Sequence, residues 1–374
     1  MKIDIFRQLL RNSLLALGSI FCFLLFFEFI VLIFFITPTD VARVEFKNGL
    51  IRYKANQSGI TKLGNEFSSE FSINRDGWNS HHKTYPLAKS KKIRIAIIGD
   101  SYIAALEPGY KNAIPFLLEK ELGSKYYEVY NFGIGGAHLA QYLHIFKNEV
   151  LKYDPSIIVF LIIHNDFAPS YKKDLMASGR YGQTFLTLPI SKNGKIEVVP
   201  PRPYNPKWDK LLDLNSIRLL FYQYKLRTRF AYIKSLVLNK QYEMNIETSV
   251  SNTPLDKNKI LANYVVSNII DIAGKKGIKV IFMMNGDTQT IYNEPDTKSD
   301  SAPIRLNKMM RTVVEKNGAV FIDLHESFRK EYLNLHKKFE FKSDGHWNPY
   351  GQAVASKPLI AKIKEQLYAT GHLN

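Results

Sequence analysis

The sequence predicts an α/β protein, with a parallel β-sheet covered by helices on both faces, behind an N-terminal transmembrane helix. Two observations predict this. From residue 93 onward, short Val- and Ile-rich segments alternate with segments of helix length, which is typical of parallel strands buried on both faces. Near the N-terminus, residues 13–36 form one apolar run that is long enough to span a bilayer as a helix.

The apolar run is predicted to be an uncleaved signal anchor. Three basic residues, Lys2, Arg7 and Arg11, precede it with one opposing acid, so the positive-inside rule keeps residues 1–12 in the cytoplasm and the rest of the chain outside. A cleaved signal peptide is the main alternative. The run is long for such a peptide, however, and no A-x-A-like site follows it.

Glu28 is the acid inside this run. An acid near the bilayer centre costs about 2.5–3.5 kcal/mol on insertion scales. Each Leu, Ile, Phe or Val returns about 0.3–0.6 kcal/mol, so the helix is still expected to insert. Two interpretations stay open: a tolerated acid, or a contact that makes a membrane protein the partner of this helix.

Charge and cysteine usage exclude other classes of function. The formal net charge is +17, but the basic residues are scattered along the chain, and the predicted topology places them away from nucleic acid. We therefore predict no nucleic-acid partner. Cys22 is the only cysteine, so an intramolecular disulfide is impossible. No Cys/His spacing typical of a metal site is present, and none is predicted.

After the anchor, residues 37–90 are predicted to be a juxtamembrane segment, and residues 91–374 the folded domain. An insertion at about 167–256 interrupts the domain after its third strand. It contains a predicted hairpin at 184–200 and a basic, aromatic helix at 216–236. That helix either binds an anionic glycan or lipid headgroups, or packs on the sheet with its charges solvated. The predicted strands are 93–98, 127–131, 156–163, 278–284 and 319–323.

Polar clusters follow several of these strands. The first strand ends in Gly-Asp-Ser at 99–101, the second in NFGIGGAH at 131–138 and the third in HND at 164–166. The fifth leads through a short helix to SDGHWNPYG at 343–351. Because ligands bind beyond the carboxyl ends of strands in an open parallel sheet, we expect these clusters to meet at one edge.

Together the clusters supply the groups that acyl transfer requires. Ser101 is the candidate nucleophile, His346 the candidate base, and Asp344 the acid that orients the base. The backbone N–H groups of Ser101 and Gly136 and the side-chain amide of Asn165 are the candidate oxyanion hole. Glycine suits position 136 because a backbone donor there must approach the substrate closely.

Simpler roles are open to the same residues. Ser101 could merely cap the following helix, and His346 could be a surface turn residue. His325, directly after the fifth strand, is the second candidate for the base. Asp100 is expected to be structural and to accept hydrogen bonds from turn amides.

The ordered set of motifs resembles the SGNH/GDSL hydrolase superfamily. GDSY, NFGIGG, HND and DGHWNPYG stand where that family has its Ser, Gly, Asn and His blocks. The resemblance implies a three-layer α/β/α flavodoxin-like sheet. It also implies the chemistry of an esterase, a lipase or an acyltransferase, with neither a cofactor nor a metal. The acid and base are spaced D-x-H, whereas many members have D-x-x-H. That spacing resembles the branch with membrane-tethered and exopolysaccharide O-acetylation proteins. His164 stands where the third block usually has glycine.

The expected function is that of a membrane-anchored serine esterase. It would hydrolyse acyl esters, O-acetyl esters among them, of glycans or lipids outside the cytoplasm, in the periplasm or at the cell surface. One alternative is an O-acyltransferase that uses the same acyl-serine intermediate. The other is a non-catalytic protein that binds a glycan or a partner on a hydrolase scaffold.

Overall fold

The computed structural model describes residues 2–88, 91–171, 182–203, 209–237, 254–293 and 300–368. Parts of the predicted insertion, residues 172–181, 204–208 and 238–253, lie outside the described residues.

Five parallel strands form the central sheet, in the order β6-β5-β7-β8-β9. They coincide with the five strands predicted from the apolar segments, and the α/β fold class is confirmed. Four strands precede this sheet and one short antiparallel pair follows it. The strands are β1 Val44–Lys47, β2 Leu50–Tyr53, β3 Gln57–Leu63, β4 Phe67–Ile73, β5 Ile93–Gly99, β6 Tyr127–Gly133, β7 Ile157–Ile162, β8 Lys279–Met284, β9 Val320–Asp323, β10 Glu340–Phe341 and β11 Asp344–Trp347.

Helices cover both faces of the central sheet. The α-helices among the described residues are α1 Lys2–Phe26, α2 Ser101–Ala104, α3 Ile114–Leu122, α4 Leu139–Asn148, α5 Phe167–Tyr171, α6 Asn215–Ile217, α7 Leu226–Val237, α8 Leu255–Gly274, α9 Thr288–Asn293, α10 Ala302–Lys316, α11 Leu324–Leu335 and α12 Pro349–Tyr368.

The hydrophobic core lies in two layers because successive side chains of a buried strand point to opposite faces. On β5, Ile95 and Ile97 belong to the layer that α3, α11 and α12 complete. Ala96 and Ile98 belong to the layer that α4, α8 and α10 complete. This gives the three-layer α/β/α architecture.

The chain divides into two compact units. One contains Met1–Val41, Ile60–Ser68 and Pro206–Tyr242. The other contains Ala42–Gly59, Ser69–Asn205 and Glu243–Asn374, and with them the central sheet. The juxtamembrane segment predicted for 37–90 and the insertion predicted for 167–256 are each shared between the two units. The predicted domain boundaries stay a prediction.

In the first unit, α1 continues as a π-helix over Phe27–Ile36. The helix Ile3–Ile36 is long and apolar enough to cross a membrane, although a signal sequence has the same character. The carboxylate of Glu28 is buried and accepts hydrogen bonds from the backbone amides of Asn215 and, at 3.0 Å, Ser216. Glu28 therefore has partners within its own chain, and a partner membrane protein stays a prediction.

The predicted hairpin at 184–200 is confirmed, since the antiparallel bridges Thr187–Val199 and Ile190–Ile196 pair its two arms. The helix predicted at 216–236 is not continuous. A π-helical turn over Arg218–Gln223 ends before α7 begins, and Lys225 between them has a φ of 46°. This left-handed conformation is costly outside glycine and breaks the helix.

Candidate active site

The nucleophile candidate lies at a sharp turn from strand to helix. Strand β5 ends at Gly99 and α2 begins at Ser101. A Cβ on Gly99 would lie 2.5 Å from Cγ1 of Ile103, so only glycine lets α2 fold back so closely over the strand. The Asp100 carboxylate accepts the Tyr102 amide at 2.9 Å, which confirms its predicted structural role.

Ser101, His346 and Asp344 come together in the arrangement of a catalytic triad. His346 Nε2 lies 2.7 Å from Ser101 Oγ. On its other side, His346 Nδ1 is hydrogen-bonded to Asp344 Oδ1, which also accepts the His346 backbone amide at 3.0 Å. This geometry lets the histidine take the serine proton while the acid fixes the ring.

Strand geometry explains why the D-x-H spacing suffices. Asp344 and His346 lie on β11, and residues two apart on a strand point to the same face. The single intervening residue, Gly345, accepts a hydrogen bond from the Tyr102 hydroxyl at 2.7 Å. Tyr102 follows the nucleophile directly, so this bond ties the helix of the serine to the strand of the base.

The candidate oxyanion donors Gly136 and Asn165 lie in the turns that follow β6 and β7. Gly136 has a φ of 79°, a left-handed conformation that favours glycine. The preceding amide, Gly135, donates to the Tyr53 hydroxyl at 3.3 Å, and a Cβ on Gly135 would lie 4.0 Å from the Cβ of Ser101. Asn165 lies in a 3₁₀ turn after β7, and its Oδ1 is buried with no hydrogen-bond partner among the described residues. That oxygen is an acceptor, so the oxyanion role predicted for Asn165 depends on its Nδ2 group and stays a prediction.

Carboxylates near His346 control its charge. Burial lowers the pKa of His346, but the charge of Glu107, the hydrogen bond and charge of Asp344, and the charge of Asp100 together raise it to about 9. Glu107 Oε1 lies 3.8 Å from His346 Nδ1. The histidine consequently holds its proton at neutral pH in the free protein.

Two further acids are buried beneath the site. Burial raises the pKa of Asp100 to about 6, although the Tyr102 amide and the charge of His346 lower it in part. Burial and the charge of Asp100 raise the pKa of Asp166 well above its ordinary value. Asp166 Oδ2 accepts hydrogen bonds from the Tyr142 hydroxyl and the Ile163 amide, both at 2.8 Å. These bonds fix the turn that carries Asn165.

The other histidines of the motifs have packing roles. His325 Nδ1 accepts the Asp287 amide at 3.3 Å, so the histidine that reaches Ser101 is His346. His138 is buried against the Ser170 hydroxyl, 3.1 Å away, and burial lowers its pKa to about 3. His164, which replaces the usual glycine, is buried against Asn307 with a distance of 2.9 Å from Nε2 to Oδ1.

A cavity of about 350 Å³ adjoins Asp344 of the triad, with Tyr102, Ile163 and Gly345 also in its wall. The other polar residues that line it are Asn285, Thr288, Gln289, Asn293, Lys338, Glu340, Lys342 and Ser343, and the other aromatic ones are Tyr292 and Phe341.

Sequence reasoning missed three residues at this site: Glu107, Tyr102 and Tyr53. Glu107 lies in the loop after the nucleophile helix, and Tyr53 comes from β2, before the domain predicted to start at residue 91. Neither the residue type nor the spacing of Glu107 and Tyr53 identifies them as site residues in the sequence. Tyr102 is part of the GDSY motif, and its position next to the nucleophile is the only local signal.

Comparison with known proteins agrees with this geometry. Residues 95–193 match the family model described as GDSL-like Lipase/Acylhydrolase. Comparison with curated proteins gives no match.

The comparison with solved structures gives several matches at low identity. An alpha/beta hydrolase enzyme from the metagenome of Lake Arreo, Spain, is 14% identical, with 77% of this chain and 100% of that chain covered and a TM-score of 0.40. The acetyl xylan esterase AlAXEase is 14% identical, with 72% and 100% covered and a TM-score of 0.40. The lipase/acylhydrolase from Enterococcus faecalis is 14% identical, with 73% and 96% covered and a TM-score of 0.40. Likeness at this level carries no argument about substrate.

The family model covers the strand and turn that present Ser101, and the turn that carries Asn165. The predicted family resemblance is thereby confirmed. Residues 95–193 of the chain thus match a GDSL-like lipase/acylhydrolase domain, and this match supports an ester-hydrolysing enzyme.

Proposed function

We propose that the protein is a membrane-anchored serine esterase that removes short acyl groups, O-acetyl above all, from a glycan outside the cytoplasm. The observation that carries the proposal is the 2.7 Å contact between Ser101 Oγ and His346 Nε2, with Asp344 on the other ring nitrogen. A serine and a histidine at this distance form an activated nucleophile.

The residues act in two half-reactions. Ser101 Oγ attacks the ester carbonyl as its proton passes to His346 Nε2, and the oxyanion is bound by the amides of Ser101, Gly136 and Asn165. Collapse releases the alcohol, which takes the proton from His346, and leaves an acyl-serine. A water molecule then gives a proton to His346 and attacks the acyl-serine. As the acyl–oxygen bond breaks and the acid is released, His346 returns that proton to Ser101 Oγ.

The lining of the cavity supports a short acyl group on a polar carrier. A long acyl chain needs an extended apolar surface, because each buried CH₂ contributes about 0.8 kcal/mol. The cavity that adjoins Asp344 instead carries amide, hydroxyl, ammonium and carboxylate groups, together with the rings of Tyr292 and Phe341. Such a mixture of polar groups and aromatic rings suits a sugar.

The apolar helix Ile3–Ile36 supports the anchor. Basic residues on its N-terminal side favour a cytoplasmic N-terminus by the positive-inside rule. The catalytic domain would then work in the periplasm or at the cell surface, where polymeric glycans are found.

A substrate panel on the purified full-length protein tests the proposal. We expect p-nitrophenyl acetate and acetylated oligosaccharides to be hydrolysed faster than p-nitrophenyl decanoate and lysophospholipid. Ser101→Ala should lose several orders of magnitude in kcat with an unchanged melting temperature, since no other group replaces the nucleophile. Ser267→Ala, at an exposed serine on α8, is the matched control.

Two results would contradict the proposal. Equal turnover by Ser101→Ala and wild type would show that Ser101 is not the nucleophile. A preference for the decanoyl ester or lysophospholipid over every acetyl ester would assign the enzyme to lipids instead.

A further inference from the structure

A second cluster of chemically reactive side chains lies outside the active site. His81, His82 and Glu119 present their ligand atoms within 4.8 Å of one another. His81 Nε2 lies 3.0 Å from Glu119 Oε1, and His82 Nε2 lies 2.7 Å from Glu119 Oε2. Two neighbouring histidines thus point both Nε2 atoms at one carboxylate.

The local fold holds this arrangement in place. The chain bends at residues 81–83, so the two imidazole rings lie side by side with their centroids 4.1 Å apart. Glu119, on α3, is buried, and the Val129 amide donates to its Oε2 at 2.7 Å. The two histidines are only partly buried, which leaves an approach from solvent. Rings of Phe116 and Tyr130 pack around them.

This donor set matches a particular class of ion. Two imidazole nitrogens and one carboxylate oxygen are ligands that Zn²⁺ accepts with a fourth position left for water. Bonds of about 2.0–2.1 Å in tetrahedral geometry place ligand atoms roughly 3.3 Å apart. The distances from His81 Nε2 and His82 Nε2 to the Glu119 carboxylate oxygens, 3.0 and 2.7 Å, need only a small expansion. Hard cations such as Mg²⁺ and Ca²⁺ prefer all-oxygen ligands and suit the site poorly.

We propose that His81, His82 and Glu119 form a binding site for a divalent transition-metal ion of the Zn²⁺ type. The ion would take no part in ester hydrolysis. It would fasten the segment 74–85 to helix α3.

Contacts of that segment give the site a consequence for the enzyme. Asn79 Nδ2 donates to the Ala104 carbonyl at the end of α2, at 2.7 Å. The Tyr85 hydroxyl exchanges hydrogen bonds with the backbone of Asn131, at 3.1 and 3.0 Å. The segment therefore supports both the helix that begins with Ser101 and the strand that leads to Gly136. Binding of the ion would stabilise the folded form that carries the active site, because a ligand stabilises the state to which it binds.

Metal titration of the full-length protein tests the proposal. The purified protein is treated with a chelator, dialysed, and titrated with Zn²⁺ by calorimetry, with metal content measured after a second dialysis. We expect one Zn²⁺ per chain, a higher melting temperature with Zn²⁺, and no competition from Mg²⁺. Glu119→Gln and His82→Gln should each raise the dissociation constant at least tenfold. His336→Asn, at an exposed histidine elsewhere, should leave it unchanged.

The proposal is overturned if no saturable binding of one Zn²⁺ per chain is found. It is also overturned if both ligand variants bind as tightly as wild type, or if His336→Asn weakens binding equally. Because Glu119 is buried, Glu119→Gln could fail to fold. In that case His82→Gln and His81→Gln, at partly exposed positions, decide the outcome. In each of these experiments, the competing explanation is that the three side chains are hydrogen-bonded to one another and bind no metal.

Discussion

His346 holds its proton more tightly than a free histidine because acids surround it. Its pKa of about 9 means that the base is protonated over the neutral range. Only the deprotonated ring can accept the serine proton. Asp344 is needed to orient the ring, whereas Glu107 approaches Nδ1 only at 3.8 Å. The charge of Glu107 therefore raises the pKa of the base without serving as its main hydrogen-bond partner.

This predicts an alkaline pH profile that depends on Glu107. For wild type, kcat/KM with a small soluble ester should rise with pH up to about 9, where His346 loses its proton. Glu107→Gln removes a negative charge near the ring and should move the rise to lower pH. Stopped-flow or continuous assays from pH 5 to 10 measure both profiles. A midpoint that is identical in the variant would mean that Glu107 does not influence the base.

Asn165 is the side-chain donor of the predicted oxyanion hole. Asn165→Ala should lower kcat about 10²–10³-fold and change KM little, because the donor acts mainly on charge that develops in the transition state. Steady-state kinetics with p-nitrophenyl acetate measure this. Asn263→Ala, on the exposed side of α8, controls for loss of an asparagine. A kcat within twofold of wild type for Asn165→Ala would leave Asn165 as a structural residue of its turn.

At the scale of elements, the position of Ser101 depends on the contact between α2 and β6. A Cβ on Gly133, the last residue of β6, would lie 2.1 Å from the backbone nitrogen of Ala104 and 2.5 Å from the carbonyl carbon of Ile103. The backbones of α2 and β6 are in contact here, and neither can move aside as a flexible side chain could.

Gly133→Ala should therefore destabilise the fold and displace the nucleophile. Overpacking of this kind costs about 1–3 kcal/mol or more, and we expect a lower melting temperature together with a lower kcat. Gly274→Ala is the matched control, since a Cβ there meets nothing within 4 Å. Thermal unfolding and ester hydrolysis are measured on both variants. Equal effects of the two substitutions would refute the role assigned to the contact.

Local sequence patterns predict the strands and helices well. The features that they miss depend on contacts between segments distant in sequence. Apolar runs such as 93–98 predict the central strands because a strand buried on both faces needs continuous apolar sequence. The motif order predicts Ser101, which follows the end of β5, and His346, which the chain reaches after β9 and α11. The approach of Glu107 to His346 and the pairing of His82 with Glu119 depend on how segments distant in sequence pack together. Sequence periodicity does not predict such packing. The break at Lys225 is equally invisible, because a left-handed lysine has no sequence signal.

At the scale of the whole molecule, the predicted topology places the C-terminus outside the cytoplasm. Two fusions after Asn374 test this, one with an alkaline phosphatase that is active only outside and one with a fluorescent protein that is active only inside. We expect phosphatase activity without fluorescence, and a mature protein that still begins at Met1 or Lys2. Fluorescence, or an N-terminus near Thr37, would contradict the signal anchor.

The first compact unit is assembled from three distant pieces of the chain. Gln223 accepts the Thr39 amide at 3.0 Å through its side chain and the Gly64 amide at 2.8 Å through its carbonyl. Arg218 pairs with Asp40 at 2.7 Å. At a synthesis rate of about 5–20 residues per second, the roughly 200 residues between Val41 and Tyr242 take about 10–40 s to translate. During that time the apolar helix lacks the segment that completes its unit, and the buried carboxylate of Glu28 lacks its partners Asn215 and Ser216.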